Sequence, residues 1–197
     1  MFRSILPALA SVALIGGVAC SSSQKPAAQT ETTSGQVSGQ KAEAMTTGDV
    51  FGVLRNIHNA EIDQGKLAEK KATDPRVKAF AEEAVKYHQD RLAKDDRIMS
   101  ALNIEPKDNK VSDEIKKSSE KATKDLQSLS GASFDRSYID GQVNYYRAVV
   151  DTFDNTLIPG TVDPQIKANL VDLRGRANRF LKEASDLRLS LVNEPQR

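Results

Sequence analysis

Apolar residues recur every three or four positions along most of this chain from residue 50 onward, and the breaks in that recurrence divide it into five helical stretches. The first carries Val50, Val53, Leu54, Ile57, Ala60, Leu67 and Ala68 on one face, with Glu61 and Gln64 interrupting the stripe. Thr73-Asp74-Pro75 then makes a hinge, because Asp74 suits an N-cap and Pro75 the first helical position, where its missing N–H costs nothing. The second stripe is Val77, Phe80, Ala81, Ala84, Val85, Leu92, Met99 and Leu102, with His88 completing the register between Val85 and Leu92. A shorter third stretch, capped at Ser112, carries Val111, Ile115, Ala122, Leu126 and Leu129 and reads as a half-exposed crossover. After Ser130-Gly131 a long stretch follows with Phe134, Tyr138, Val143, Tyr145, Tyr146, Val149, Phe153 and Leu157, closed by Pro159-Gly160. The last begins at Asp163-Pro164 and keeps the cleanest spacing, through Ile166, Leu170, Leu173, Ala177, Phe180, Leu181, Ala184, Leu187 and Leu191.

Thr73 to Phe80, TDPRVKAF, returns in pattern as VDPQIKAN at Val162 to Asn169, each opening a helix that follows another long helix. Two hairpins related by repetition, joined by a shorter crossover helix, make an all-α, ferritin-like up-down four-helix bundle over residues 49–192, with a short tail at 193–197.

Upstream the pattern changes twice. Residues 1–19 pair Arg3 with an apolar run from Ile5 to Val18, shorter than the roughly 20 residues a membrane span needs, so they read as a cleaved signal peptide. Gly17-Val18-Ala19-Cys20 resembles the lipobox of bacterial lipoproteins, although Gly17 stands where a bulkier aliphatic residue is usual. Cys20 is the only cysteine, so it has no disulfide partner within the chain, and lipidation accounts for it. By the same resemblance, Ser21 after it favours the outer membrane. From Cys20 to Gly48 the sequence is rich in Ser, Thr, Gln, Gly and Ala and lacks apolar periodicity, as expected of a disordered tether.

Composition narrows the partners. The 28 basic and 27 acidic residues leave a net charge of +1, too small to recruit an anionic polymer, and the absence of Trp removes a main stacking platform, so nucleic acid is excluded. The expected partners are the membrane, through the lipid anchor, and a protein of the envelope.

Candidate chemistry sits on the first hairpin. Counted from the hinge at 1.5 Å per residue, Glu61 lies about 16 Å along its helix and His88 about 19 Å along the next, so the two share a layer. A carboxylate and an imidazole at one depth can hydrogen-bond each other or supply part of a metal's ligand shell. His58, three residues before Glu61 on the edge of the stripe, and Gln64, Tyr145 and Tyr146 are the further candidates. A di-iron site of the ferritin kind needs a Glu three residues before the histidine, and here Val85 occupies that place. No nucleophile and base pair, phosphate-cradling glycine loop or Cys/His cluster points to an enzyme, and no cofactor is expected beyond a metal ion at Glu61 and His88.

AEIDQGKLAEKKATDPRVKAFAEEAVKYHQDRL, followed by FDRSYIDGQVNYYRAVV and a Leu-rich last helix, resembles a family of ferritin-like bacterial envelope proteins labelled as outer membrane proteins of unknown function. The resemblance runs from about Val50 to Leu191 and is most specific at Glu61, Leu67-Ala68, Phe80-Ala81 and His88. Where that family tends to have histidines, this chain has Tyr146 and Phe180. The resemblance implies a fold and a periplasmic, outer-membrane-anchored location. Two function classes follow: a lipid-anchored envelope bundle with a non-enzymatic structural, partner-binding or stress-related role, or a ferritin-like metal-binding or redox bundle using Glu61 and His88.

Overall fold

A computed structural model describes residues 44–193; the stretches expected to be a signal peptide and a tether, up to residue 43 and with Cys20 among them, and the last four residues lie outside the described residues. Those described are almost entirely helical: α1 (Thr47–Lys71), α2 (Pro75–Leu102), α3 (Lys110–Gln127), α4 (Gly131–Thr152), a π-helical turn (Phe153–Leu157), a short α5 (Ile158–Gly160) and α6 (Pro164–Asn193). α1 packs along α2 and α4 along α6, α3 lies chiefly against α1, and the two hairpins meet through α1 with α4 and α2 with α6.

Local chemistry explains where each helix begins. Thr46 and Asp49 form a capping box, with Asp49 N donating to Thr46 Oγ1 over 3.2 Å and Thr46 N to the Asp49 carboxylate over 2.8 Å. These bonds, the Thr46 side chain's first, hold the Asp49 carboxyl below its usual range. Met45 also donates its N–H to Gly160 O over 3.0 Å, so residues 45–48, read from the sequence as the end of the tether, belong to the folded part. The repeated Asp-Pro motifs build the same cap twice: Asp74 Oδ1 accepts from Arg76 N and Asp163 Oδ1 from Gln165 N, each over 2.8 Å. Val77 and Ile166, one turn into their helices, are both buried.

Two boundaries differ from the sequence expectation. α3 is capped by Asn109 rather than Ser112; the Asn109 side chain accepts from Val111 N and Ser112 N, and Ser112, at the third helical position, returns the bond to Asn109 N. Gly131 starts α4 with φ +57°, a left-handed turn that only glycine adopts without strain, and so reverses the chain after α3. The long fourth stretch is also not one α-helix. Pro159 has no N–H to offer the carbonyl four residues before it, and the preceding turn widens into a π-helix in which Phe153 and Leu157 both stay buried.

The core runs the length of the bundle, with Phe51, Leu54, Phe80, Phe134, Tyr138, Ile139, Leu170 and Phe180 among its members. On α2 the inward face differs from expectation. Leu92 is half-buried and Leu102, the last residue before left-handed Asn103, is 55% exposed, while Arg91 and Asp95 are buried in the series His88, Arg91, Asp95, Met99. Among the described residues no helix is long and apolar enough to cross a membrane.

Candidate functional site

All four long helices send polar side chains inward at one level. α1 contributes His58, Glu61 and Gln64, α2 His88, Arg91 and Asp95, α4 Gln142 and Tyr146, and α6 Asn169. Burial of polar groups carries a penalty unless each finds a partner, and here they meet one another in a continuous chain. Glu61 Oε2 lies 2.7 Å from Tyr146 Oη, and Tyr146 Oη 3.2 Å from His88 Nε2. His88 Nδ1 faces His58 Nδ1 at 2.9 Å, and His58 Nε2 faces Asp95 Oδ2 at 3.2 Å. Arg91 Nη2 closes the chain, donating to Asp95 Oδ1 over 3.0 Å and to Asn169 Oδ1 over 2.7 Å.

Glu61 and His88 therefore share a layer but do not bond directly, because the Tyr146 hydroxyl stands between them. His58, read as an edge position, is only 2% exposed and is the second imidazole of the centre. Tyr145 is not part of it; its hydroxyl donates to Ile57 O over 3.1 Å. Gln64 is buried beside Gln142, whose nitrogen reaches Gln64 Oε1 over 3.4 Å or, with the amide turned, donates to Glu61 across 2.9 and 3.3 Å. Cys20 lies outside the described residues.

The four links from Glu61 to Asp95 each need one hydrogen, which limits the protonation states. With the proton on Glu61, the carboxyl donates to Tyr146, Tyr146 to His88 Nε2, His88 Nδ1 to His58 Nδ1, and His58 Nε2 to the Asp95 carboxylate opposite Arg91. Both imidazoles are then neutral, and the one charge in the chain sits where a guanidinium faces it. Burial favours this arrangement: it raises the Glu61 carboxyl from 4.5 to about 7, against the opposing hydrogen bonds from Tyr146 and Gln142. Burial also pushes His88 well below the ordinary histidine range, with His58 and Arg176 adding to it, and pushes the Tyr146 phenol well above its own, with Glu61 adding.

Beside the imidazoles lies a cavity of about 20 Å³, bounded by Ile57, His58, His88, Tyr146, Phe153 and Phe180 among others. That holds about one water molecule and no organic substrate. Among the described residues no three His, Cys, Asp or Glu side chains are grouped so as to hold a metal ion. Phe180 occupies the fourth side, stacked on Tyr146 with ring centres 5.1 Å apart and on His88 at 5.8 Å.

A family model, described as a domain of unknown function (DUF4142), matches residues 27–187. The chain belongs to the DUF4142 family. The match takes in every residue of the polar centre and reaches upstream of the described residues. No curated protein and no solved structure matches the chain significantly. In this DUF4142 chain, sequence reasoning found Glu61 and His88, and with them His58 and Tyr146 as secondary candidates, but missed Arg91, Gln142 and Asn169. The signal for Arg91 was present: it lies three residues after His88 and four before Asp95, on one helical face.

Proposed function

We propose that this DUF4142 chain is an exported, lipid-anchored protein of the bacterial envelope, whose folded part is a ferritin-like up-down four-helix bundle with a non-enzymatic structural or partner-binding role. Paired hairpins α1–α2 and α4–α6, each with an Asp-capped second helix and separated by the stretch carrying α3, support the ferritin-like reading. The non-enzymatic reading rests on one observation: the buried carboxyl, phenol and imidazole groups from Glu61 to Asp95 are hydrogen-bonded to one another, and the space beside them holds about one water molecule. An enzyme needs its acid, base or nucleophile to reach a substrate. Export and anchoring rest on the apolar leader and on Cys20 as the lone cysteine.

Two experiments test this reading. Cys20→Ser should move the protein from the membrane fraction to the soluble periplasmic fraction, and unchanged membrane fractionation would count against the anchor. Elemental analysis of the purified mature protein, with Glu61→Ala and His88→Ala beside it, addresses the centre. Stoichiometric iron, manganese, copper or zinc, lost in both variants, would replace the structural reading with a metal-binding one.

A further inference from the structure

The chain has no Trp and four tyrosines, so the tyrosines are its oxidisable aromatic side chains. A phenol that loses an electron becomes a strong acid, and inside a protein the electron leaves readily only if a base is in place to take the hydroxyl proton. The tyrosines differ sharply in this respect. The buried Tyr138 hydroxyl has no hydrogen-bond partner, and the Tyr145 hydroxyl faces a backbone carbonyl, which cannot accept a proton at ordinary pH. Tyr146 alone among the three on α4 has bases at its oxygen, the Glu61 carboxyl at 2.7 Å and His88 Nε2 at 3.2 Å. Each state of Glu61 leaves an acceptor in place. If the carboxylate is ionised it takes the proton itself; if it is protonated, His88 presents a free nitrogen and can pass its own Nδ1 proton to His58, next to Asp95. An electron path to the surface also exists. The Tyr146 ring lies edge-on to half-buried Tyr145 at 5.8 Å, which lines an open cleft of about 480 Å³ between α3 and α4.

We infer that Tyr146 is a one-electron redox site, which reduces a diffusible one-electron oxidant and hands its hydroxyl proton to Glu61 or His88, leaving a buried neutral phenoxyl radical. The balance closes: the oxidant gains one electron, the O–H bond of Tyr146 breaks, and the proton stays within the buried hydrogen-bond chain. Packing keeps the radical from other molecules, since Phe180 covers one face of the ring and Tyr146 is only 1% exposed. This activity requires neither a metal nor the proposed membrane anchor.

The test uses photogenerated tris(bipyridine)ruthenium(III) as oxidant, with freeze-quench electron paramagnetic resonance as readout. The wild-type protein should give a phenoxyl radical that outlives the signal of free tyrosine at least tenfold. Exchange into D2O should reveal a deuteron hydrogen-bonded to the radical oxygen, since Glu61 or His88 holds the transferred proton there. Tyr146→Phe should cut the long-lived yield at least fivefold, whereas Tyr87→Phe should leave it unchanged. His88→Gln should shorten the lifetime more at pH 5.5 than at pH 8.5, where Glu61 serves as acceptor. A long-lived yield unchanged in Tyr146→Phe, or a wild-type radical without deuteron coupling, would overturn the assignment. The deuteron measurement is made on the wild type and decides the matter even if a variant fails to fold.

Discussion

His58 and His88 face each other nitrogen to nitrogen, Nδ1 to Nδ1 at 2.9 Å, across the interface of α1 and α2. Two neutral imidazoles can meet this way only if one carries its proton on Nδ1 and the other on Nε2. Asp95 decides which: it accepts from His58 Nε2, so His88 donates and His58 receives. The pair therefore ties α1 to α2 in a single register and, while Glu61 is protonated, fixes the direction of every hydrogen bond out to Tyr146.

Removing one member strands the other. In His58→Ala, the His88 Nδ1–H and an oxygen of the buried Asp95 both lose their partner, and a cavity opens next to the existing one. Such losses are each worth about 1–3 kcal/mol, so the variant should be destabilised by about 3 kcal/mol in urea unfolding. His88→Ala should cost a similar amount. The double variant should fall short of the sum by at least about 1 kcal/mol, because the second substitution removes a group already stranded by the first. Strict additivity would show that the 2.9 Å contact carries no coupling.

Glu61 and His88 impose opposite pH dependences. The folded-state value of Glu61, about 7, stands above its ordinary 4.5, so its favourable contribution is present below pH 4.5 and is lost as pH rises to 7. At 1.36 kcal/mol per unit, the 2.5-unit difference amounts to about 3 kcal/mol. His88 is shifted down from 6.5, so its contribution is present above pH 6.5 and is lost as pH falls below it. Below pH 6.5 and above pH 4.5 the two contributions oppose each other, so the wild-type stability should change less there than either group alone would make it. Glu61→Gln removes one slope. Its stability relative to wild type should improve by about 3 kcal/mol from pH 4.5 to pH 8, measured by urea unfolding at each pH. A difference independent of pH would mean that Glu61 stays ionised in the fold.

The hairpins and the level of the polar centre were legible in the sequence because they depend on local rules. Asp74-Pro75 and Asp163-Pro164 cap helices through their own side chains, and the 3-4 spacing places Glu61 and His88 inward whatever lies opposite. What was not legible depends on distant partners. His58 looked like an edge position because nothing in α1 says that Asp95, 37 residues on, will meet its second nitrogen. Arg91 looks like a surface charge in α2 until Asp95 and Asn169 supply its partners. Leu92 and Leu102 drew the expected stripe one position aside, since hydropathy alone ranks a leucine inward ahead of a paired arginine. The π-helical turn had a local cue in Pro159, but its effect on the turn before it depends on packing around Phe153 and Leu157.

Asp135 should prove as important to stability as any core residue. From the second turn of α4 its carboxylate accepts from Thr73 N at 3.0 Å, Thr73 Oγ1 at 2.5 Å and Asp74 N at 2.9 Å, and so binds the hinge of one hairpin to the start of the other. Asp135→Ala leaves two backbone N–H groups and a hydroxyl without that acceptor. Hydrogen bonds to a charged group are worth about 1.5–3 kcal/mol each, and with partial rescue by water the net loss should be about 3 kcal/mol. Asp135→Asn keeps one acceptor oxygen and should recover part of it. Equal unfolding midpoints for the wild type and Asp135→Ala would show that water replaces the carboxylate without cost.

Gly52 of α1 and Gly141 of α4 should respond to alanine in opposite directions. Gly52 lies under the α2–α3 connection, where a Cβ would overlap the Lys107 carbonyl, and that connection is pinned nearby by Lys107 N donating to Gly48 O over 2.9 Å. Because the obstacle is backbone rather than a flexible side-chain end, Gly52→Ala must displace the connection or tilt α1, at a cost of about 3 kcal/mol. Gly141, inside α4, has nothing within 4 Å of the place a Cβ would take. There alanine removes only the conformational freedom of glycine in the unfolded chain, and Gly141→Ala should stabilise by about 0.5–1 kcal/mol. Thermal unfolding of both variants beside the wild type measures the contrast. Stabilisation by both substitutions would mean that the connection over Gly52 yields freely, and that the N-terminal half of α1 is held by its core contacts alone.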